Sequence, residues 1–363
     1  LEQHIDPETH KPLLQPIKVE LFGEGQGEAI PLPAYLGDAY GLAEEFCELF
    51  GANHRGAGFL QTLLLRRIGS SIYAGQRTVE RILGIEPDVV DEEDDEPEEV
   101  ASSSTSRLAE LITSGERDLL ERLHRALLAN RERDPKLGQV RNYLLDRRWL
   151  EQRGCIVFSQ YRDSILWLAE ALTAELPAEP MAIYSGPQTS GIMHGGRWVP
   201  RQREELKRLV MAGEMRLMLG TDAAAEGLNL QRLGSLINLD LPWNPTRLEQ
   251  RKGRIQRIGQ IHDTVYVCNL RYRGSVEDRV HELLSERLED IYAVFGQLPD
   301  VLEDAWVAVA QGQRERAKQL IDEVPTQHPF ELRYTQVHKV DWESCTQVLY
   351  DKAKQEVLRR RWG

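Results

Sequence analysis

MRLMLGTDAAAEGLNLQRLGSLINLDLPWNPTRLEQRKGRIQRIGQ, residues 215–260, contains two short apolar runs and one amphipathic run, with turn signals between them. Met215 to Thr221 and Ser235 to Asp240 are too short for helices and too apolar for surface loops, so they read as buried strands. Asn244 followed by Pro245 is a helix start, a capping oxygen and then a ring whose missing N–H costs nothing at the first helical position. Gly259 supplies the stop. On the helix predicted from Pro245 to Ile258, Gln250, Arg254 and Arg257 stand at i, i+4 and i+7 and share one face. Two permanently charged, fork-shaped donors on one face are suited to clamp a phosphoryl group whose charge spreads during transfer. An R-x-x-R on a helix is ordinarily a solvated charged face, and the elements around this one weigh against that plainer reading.

Upstream and downstream the same alternation continues. Cys155 to Ser159, Met181 to Ser185 and Val265 to Leu270 are further short apolar runs, with helical stretches at Tyr161 to Leu176, Arg201 to Met211 and Ala223 to Glu226. Strands alternating with helices predict right-handed crossovers and an α/β fold, a parallel sheet covered on both faces. Ligands of such sheets gather at the carboxyl ends of the strands. Ser159-Gln160, Ser185-Gly186 and Thr221 fall at those ends. A hydroxyl and exposed amides where a strand meets a helix can bind a phosphate, and Gly227 lets the backbone approach a ligand closely.

Gln250, Gly253, Arg254 and Arg257 together form Q-x-x-G-R-x-x-R, which resembles motif VI of superfamily 2 helicases and translocases. The ending Arg257-Ile258-Gly259-Gln260 is similar to the Swi/Snf-type branch, and most of all to its bacterial RapA-like ATPases. Thr221 to Gln231 resembles motif V, T-D-x-x-x-[ER]-G-[LI]-[ND], and Val157 to Gln160 resembles motif IV. The resemblance implies a RecA-like second lobe whose Arg254 and Arg257 act catalytically on ATP held by a first lobe. It further implies ATP contacts from Gly227, Asn229, Gln250 and Gly253, and nucleic-acid contacts from Ser159, Gln160, Ser185, Gly186 and Thr221. ATP and magnesium would be bound mainly by that first lobe, and no metal ligand is assigned to this chain. The turn after Ser185-Gly186 departs from the family's compact connection, being lengthened by Pro187 to Pro200. His194 within it reads as a loop residue rather than a catalyst.

Composition limits the alternatives. A charged fraction of 28% with 41% hydrophobic residues is that of an ordinary globular protein. The net charge of −13 argues against a chain that coats nucleic acid indiscriminately, although much of the acidity lies in Asp88 to Glu99 and a local basic groove remains compatible with it. Cys47, Cys155, Cys268 and Cys345 lie far apart, without metal spacing, and are read as reduced, mostly buried thiols of a cytoplasmic protein. No apolar run approaches the roughly 20 residues of a membrane span, and no signal-peptide pattern opens the chain. The first methionine is Met181, so the sequence is expected to be a piece of a longer protein.

Outside the lobe, residues 1–86 are expected to hold the end of a first-lobe region and a helical protrusion, with a strand at Ile17 to Phe22 and helices at Tyr40 to Phe50 and Phe59 to Leu83. Gly23 to Gly27 imitates a phosphate loop, but acidic residues and Ile30-Pro31-Leu32-Pro33 follow instead of a helix and lysine, so it reads as a connection. Arg66-Arg67 resembles the basic pair found where Swi/Snf-type proteins join their lobes. Residues 87–106 are acidic and then serine-rich, the composition of a disordered linker. Residues 107–275 form the second lobe, helical to Trp149, with a fresh helix start at Asp134-Pro135. Residues 276–363 are expected to be a bracing helix and a helical extension. No G-x-x-x-x-G-K-[ST] occurs, so this chain would not position ATP and magnesium alone.

Two functions from different classes fit this reading. One is half of an ATP-dependent translocase on nucleic acid, with double-stranded DNA the expected track and RNA polymerase or defence-system proteins among the partners the family admits. The other is a non-hydrolysing scaffold lobe that binds nucleic acid or protein.

Overall fold

The structure is a computed structural model, and it describes residues 17–53, 57–85, 111–222, 230–242, 245–257, 259–275, 277–279, 281, 308 and 313–322. The acidic and serine-rich segment, most of the expected bracing helix, most of the C-terminal extension and Cys345 lie outside the described residues.

The chain runs through β1 (Lys18–Phe22), α1 (Ala34–Asn53), α2 (Ala57–Ser70), α3 (Ile72–Leu83), α4 (Ser114–Ala129), α5 (Pro135–Arg141) and α6 (Trp149–Arg153). Then follow β2 (Cys155–Ser159), α7 (Arg162–Thr173), β3 (Met181–Tyr184), β4 (Gly191–His194), β5 (Arg197–Pro200), α8 (Arg203–Ala212), β6 (Leu217–Thr221), β7 (Ser235–Asn238), α9 (Pro245–Ile255) and β8 (Thr264–Asn269). The eight strands make one sheet in the order β1-β8-β7-β2-β6-β3-β4-β5. All pairings are parallel except those of β4 with β3 and with β5.

Alternate side chains of the central strands enter two separate cores. Cys155, Val157, Met181, Ile183, Leu217, Leu219 and Ile237 pack with α7 and the N-terminal helices, whereas Ile156, Phe158, Ala182, Tyr184, Met218 and Leu236 pack with Leu206 and Val210 of α8 and Ile255 of α9. Burial on both faces is why these strands read as unbroken apolar runs. Cys47, Cys155 and Cys268 are free and buried, and burial pushes each thiol up to about 12.

Four expectations need correction. The helix expected over Phe59 to Leu83 is two helices, because Ser71 caps α3 by accepting from the Ala74 amide at 3.0 Å and the chain turns there. The motif-VI helix ends at Ile255 rather than Ile258. The lengthened turn after Ser185-Gly186 is a β-hairpin, with His194 exposed at the end of β4. Finally, β1 is not set apart with a preceding region. It pairs with β8 from Lys18↔Thr264 to Phe22↔Cys268, and the Phe22 ring lies 5.2 Å from Trp149 and 5.6 Å from Tyr266. Such aromatic pairs add about 0.5–1.5 kcal/mol each beyond area burial.

A buried polar joint fixes the helical part to the sheet. Asp134, the N-cap of α5, accepts from the Lys136 amide at 2.9 Å, the Ile72 amide at 2.8 Å and the Tyr272 hydroxyl at 2.8 Å. Lys136 Nζ donates to the carbonyls of Gly69 and Leu239 at 2.6 and 2.5 Å. Glu277 is buried beside this joint, and its Oε2 has no hydrogen-bond partner among the described residues. Burial raises its carboxyl to about 7, with Asp240 adding to the rise and Lys136 opposing it. Between the ordinary carboxylate range and that value the unfolded chain is ionised at this position while the folded chain stays protonated. Stability should therefore fall as pH rises from about 4.5 to about 7. In Glu277→Gln that slope should flatten, as read from melting temperature against pH. Parallel curves for the two proteins would contradict it.

Candidate functional site

The carboxyl ends of β2, β3, β6, β7 and β8 lie along one edge of the sheet, and Ser159 of β2 pairs in register with Thr221 of β6. Parallel pairing alone brings the turns after these strands together. The centre of the edge is Arg251, whose side chain is 1% exposed. It grips Asp222 in a bidentate pair, Nε to Oδ1 at 2.5 Å and Nη2 to Oδ2 at 2.6 Å. Its Nη1 donates to Asn238 Oδ1 at 3.0 Å and to the Asp240 carbonyl at 2.8 Å, and Nη2 reaches Asp240 Oδ1 at 3.4 Å. The guanidinium also lies over the Phe158 ring, 5.6 Å from its centroid. One side chain thus ties α9 to the turn after β6 and to the ends of β7 and β2.

Asp240 extends the network. Its Oδ2 accepts from Ser159 Oγ and, at 2.5 Å, from Ser70 Oγ at the end of α2, and its Oδ1 accepts from the Gln160 amide at 3.0 Å. Burial works to raise this carboxyl, but Arg251, Lys136 and the two serine hydroxyls together hold it below the usual carboxylate range. Burial likewise opposes charge on Arg251, and Asp222 and Asp240 overcome it and raise the guanidinium further.

Leu248, Arg251 and Ile255 form the inward face of α9, and Gln250 and Gly253 are exposed on the outer side. Arg254 is half-buried, and its carbonyl accepts from the Leu230 amide at 3.2 Å, so the end of α9 abuts the chain leaving the motif-V turn. Arg257 is exposed but lies beyond the helix. Its amide bonds to the Ile255 carbonyl at 3.1 Å and its carbonyl accepts from the Gln260 amide at 3.0 Å. Gly259, at φ +92°, then turns the backbone where a side chain would be strained. The shared face therefore holds for Gln250 and Arg254 only, because a tight turn carries Arg257 off the helical repeat.

The strand-end candidates divide. The Thr221 side chain is buried and its hydroxyl has no hydrogen-bond partner among the described residues. Ser159 is a correction: its hydroxyl is fully buried, donates to Asp240 and accepts from the Tyr161 amide at 3.0 Å, so it organises the edge instead of facing a ligand. Ser185 is buried too, its hydroxyl 3.0 Å from both the Thr189 carbonyl and hydroxyl, and Gly186 is buried with its carbonyl accepting from Ser190. Gln160 is half-exposed and bridges Arg66 Nη2 at 2.5 Å and the Leu241 carbonyl at 3.0 Å. Arg67 pairs with Asp163 at 3.5 Å and lies over the Tyr161 ring, so the basic pair of α2 fastens that helix to the turn after β2. Gly227 and Asn229 lie outside the described residues.

Residues 136–259 match the family model of the helicase conserved C-terminal domain. An uncharacterized ATP-dependent helicase of Bacillus subtilis, YqhH, is 35% identical over 147 residues, 40% of this chain and 24% of that protein. The RNA polymerase-associated protein RapA of Erwinia tasmaniensis is 47% identical over 47 residues, 13% of this chain and 5% of that protein. The chain therefore spans at most about a quarter of these relatives' length. Among solved structures, the C-terminal part of the Fun30 ATPase domain aligns over 84% of this chain and 99% of its own, at 14% identity and a TM-score of 0.46. The Hef helicase domain of Pyrococcus furiosus aligns over 72% of this chain and 56% of its own, at 13% identity and a TM-score of 0.42. Among the described residues no helix is long and apolar enough to cross a membrane, and no three His, Cys, Asp or Glu side chains converge as a cation site.

Proposed function

We propose that the chain, whose residues 136–259 match the helicase conserved C-terminal domain and resemble Swi/Snf-like superfamily 2 proteins, is the second motor lobe of an ATP-dependent translocase acting on double-stranded DNA. ATP sits in the cleft between a first lobe and this one, with magnesium held by the first lobe. Gln250, Gly253, Gly227 and Asn229 line the nucleotide's near side. Arg254 and Arg257 neutralise the charge that spreads over the transferring phosphoryl group. Thr221 offers its hydroxyl, and Gln160, Ser185 and Gly186 their turns, to one strand's phosphates, contacts that position without reading sequence. Opening and closing of the cleft then steps the two lobes along the duplex.

The observation that supports this most is the Arg251 bridge. It holds the helix bearing Arg254 against the strand edge bearing Thr221, so nucleotide and nucleic-acid contacts are built on one rigid support. Domain boundaries follow the same reading: the second lobe is residues 107–275 together with β1, and residues 276–363 comprise a bracing helix and a C-terminal extension. The work is placed in the cytoplasm or nucleoid, and RNA polymerase is the protein partner that the name of RapA suggests.

The full-length protein should hydrolyse ATP, faster with duplex DNA added, while residues 1–363 alone should show turnover no higher than a protein-free control. Hydrolysis by residues 1–363 at the full-length rate would overturn the division of labour. A full-length protein that binds duplex DNA without hydrolysing ATP would select the scaffold instead.

A further inference from the structure

The hairpin of β4 and β5 extends the sheet beyond the strands that carry the motor motifs, and it is built stiffly. Gly195 and Gly196, at φ +54° and +75°, form a two-residue turn, the conformation whose twist matches paired strands. Register pairs His194 with Arg197, Met193 with Trp198 and Gly191 with Pro200. The Trp198 indole lies over Gly191, where an added Cβ would stand 2.6 Å from Cζ2 and 2.7 Å from Cη2. Glycine at 191 therefore seats the ring, yet Trp198 remains 38% exposed and Val199 beside it 41%.

The charge around the ring has the opposite sign to the chain. Residues 191–208 carry five arginines and lysines against two carboxylates, in a protein of net charge −13. Glu204 is taken by Lys207 at 2.8 Å and Glu205 faces Arg201 at 3.5 Å. Arg197 has no acidic partner among the described residues. Arg203 stands over the Tyr184 ring, 5.1 Å from its centroid, and its buried Nε has no hydrogen-bond partner among them. A protein strand adding to β5 is a poor occupant, because this edge is four residues long and carries Arg197 and a terminal proline, Pro200. An exposed aromatic face beside the Arg197 guanidinium, which no carboxylate neutralises among the described residues, suits a polyanion that also has flat apolar rings.

We propose that the β4–β5 hairpin is an accessory nucleic-acid site, Arg197 holding a phosphate while Trp198 stacks on an unpaired base. The inference rests on the nucleic-acid reading above and adds a preference that reading does not contain. A stacking tryptophan needs a base out of its pair, so the hairpin favours single-stranded nucleic acid or the loosened end of a duplex.

The test is fluorescence anisotropy of the full-length protein with single- and double-stranded oligonucleotides of one length, at several salt concentrations. Trp198→Ala should weaken single-strand binding roughly tenfold and duplex binding far less. Arg197→Gln should lower the slope of log affinity against log salt by about 0.7 for single strands, a readout that loosened structure does not mimic. Both variants should keep the parent melting temperature. Equal binding by parent and variants would overturn the hairpin site and leave the motor reading standing, whereas a parent that binds neither oligonucleotide would overturn both. A Trp198→Ala loss equal on single strands and duplex would overturn the stacking role.

Discussion

Alanine at Arg254 or at Arg257 in the full-length protein should lower DNA-stimulated ATP turnover by about 10³- to 10⁵-fold, the range for a guanidinium that meets charge developing in the transition state. Because such a contact is made in the transition state and little in the ground state, kcat and kcat/KM should fall together and the KM for ATP should hardly move. Melting temperature and DNA affinity should also hold, since neither side chain lies in a core: Arg254 is half-buried and Arg257 exposed. Lysine should rescue little, because it keeps the charge but loses the planar fork. Steady-state turnover with saturating duplex decides the matter. Rates within about threefold of the parent for both alanine variants would remove these arginines from the chemistry, since an oxyanion-type donor is worth far more.

The two arginines also show where reading the sequence succeeds and where it stops. Strands β2, β3, β6 and β7 were legible because both of their faces are buried, so each is a continuous apolar run. Strands β4 and β5 were not, since Gly191, His194, Arg197 and Pro200 give no such run and only the two-glycine turn marks a hairpin. The break at Ser71 was hidden because α2 and α3 keep one 3.6-residue rhythm across it, and the Ser71 cap on the Ala74 amide is held in place by hydroxyl bonds of Ser70 to Asp240 and of Ser71 to Ser164, far off in sequence. Arg257 left the helical face because the last turn tightens before Gly259, a matter of backbone hydrogen bonds that side-chain spacing does not record.

Arg251 was passed over for a different reason. Flanked by Gln250, Lys252 and Arg254, it looks like one more solvated charge. The available signal was its register: with Leu248 and Ile255 it occupies i, i+3 and i+7, the positions an amphipathic helix turns inward. A cation there calls for buried anions, and Asp222 and Asp240 each follow a strand that ends at the same edge. Ser159 was misjudged by the converse error. A hydroxyl at a strand end can serve a ligand or a neighbour, and Asp240 decides for the neighbour.

The larger structural effect is expected at Arg251. Methionine there preserves much of the volume but strands two buried carboxylates, Asp222 at 8% and Asp240 at 0% side-chain exposure. Breaking a buried pair by removing one partner ordinarily costs about 3–5 kcal/mol, more than the pair's own net worth, because the charge left behind has lost both water and partner. Urea unfolding at pH 7 should show a loss of that order for Arg251→Met, and adding Asp222→Asn should recover part of it by removing one stranded charge. The pH dependence has a definite sign. In the parent Asp240 is held below the carboxylate range, so its contribution is present at neutral pH and is lost as pH falls through its folded value. Without Arg251 the burial that already opposes ionisation of Asp240 prevails, its carboxyl rises, and the variant regains stability on acidification through this group, whereas the parent keeps the Asp240 contribution until the pH falls below the ordinary carboxylate range. The gap between the two proteins should therefore narrow from pH 7 towards pH 4. A gap below about 1 kcal/mol at pH 7, the worth of an exposed ion pair, would mean that Arg251 does not hold the edge. A gap that widens in acid would mean that the stranded carboxylates are not its cause. Since Arg254 is one turn further along the same helix, the variant should also lose ATP turnover with both catalytic candidates intact, which separates holding the arginines in place from merely possessing them.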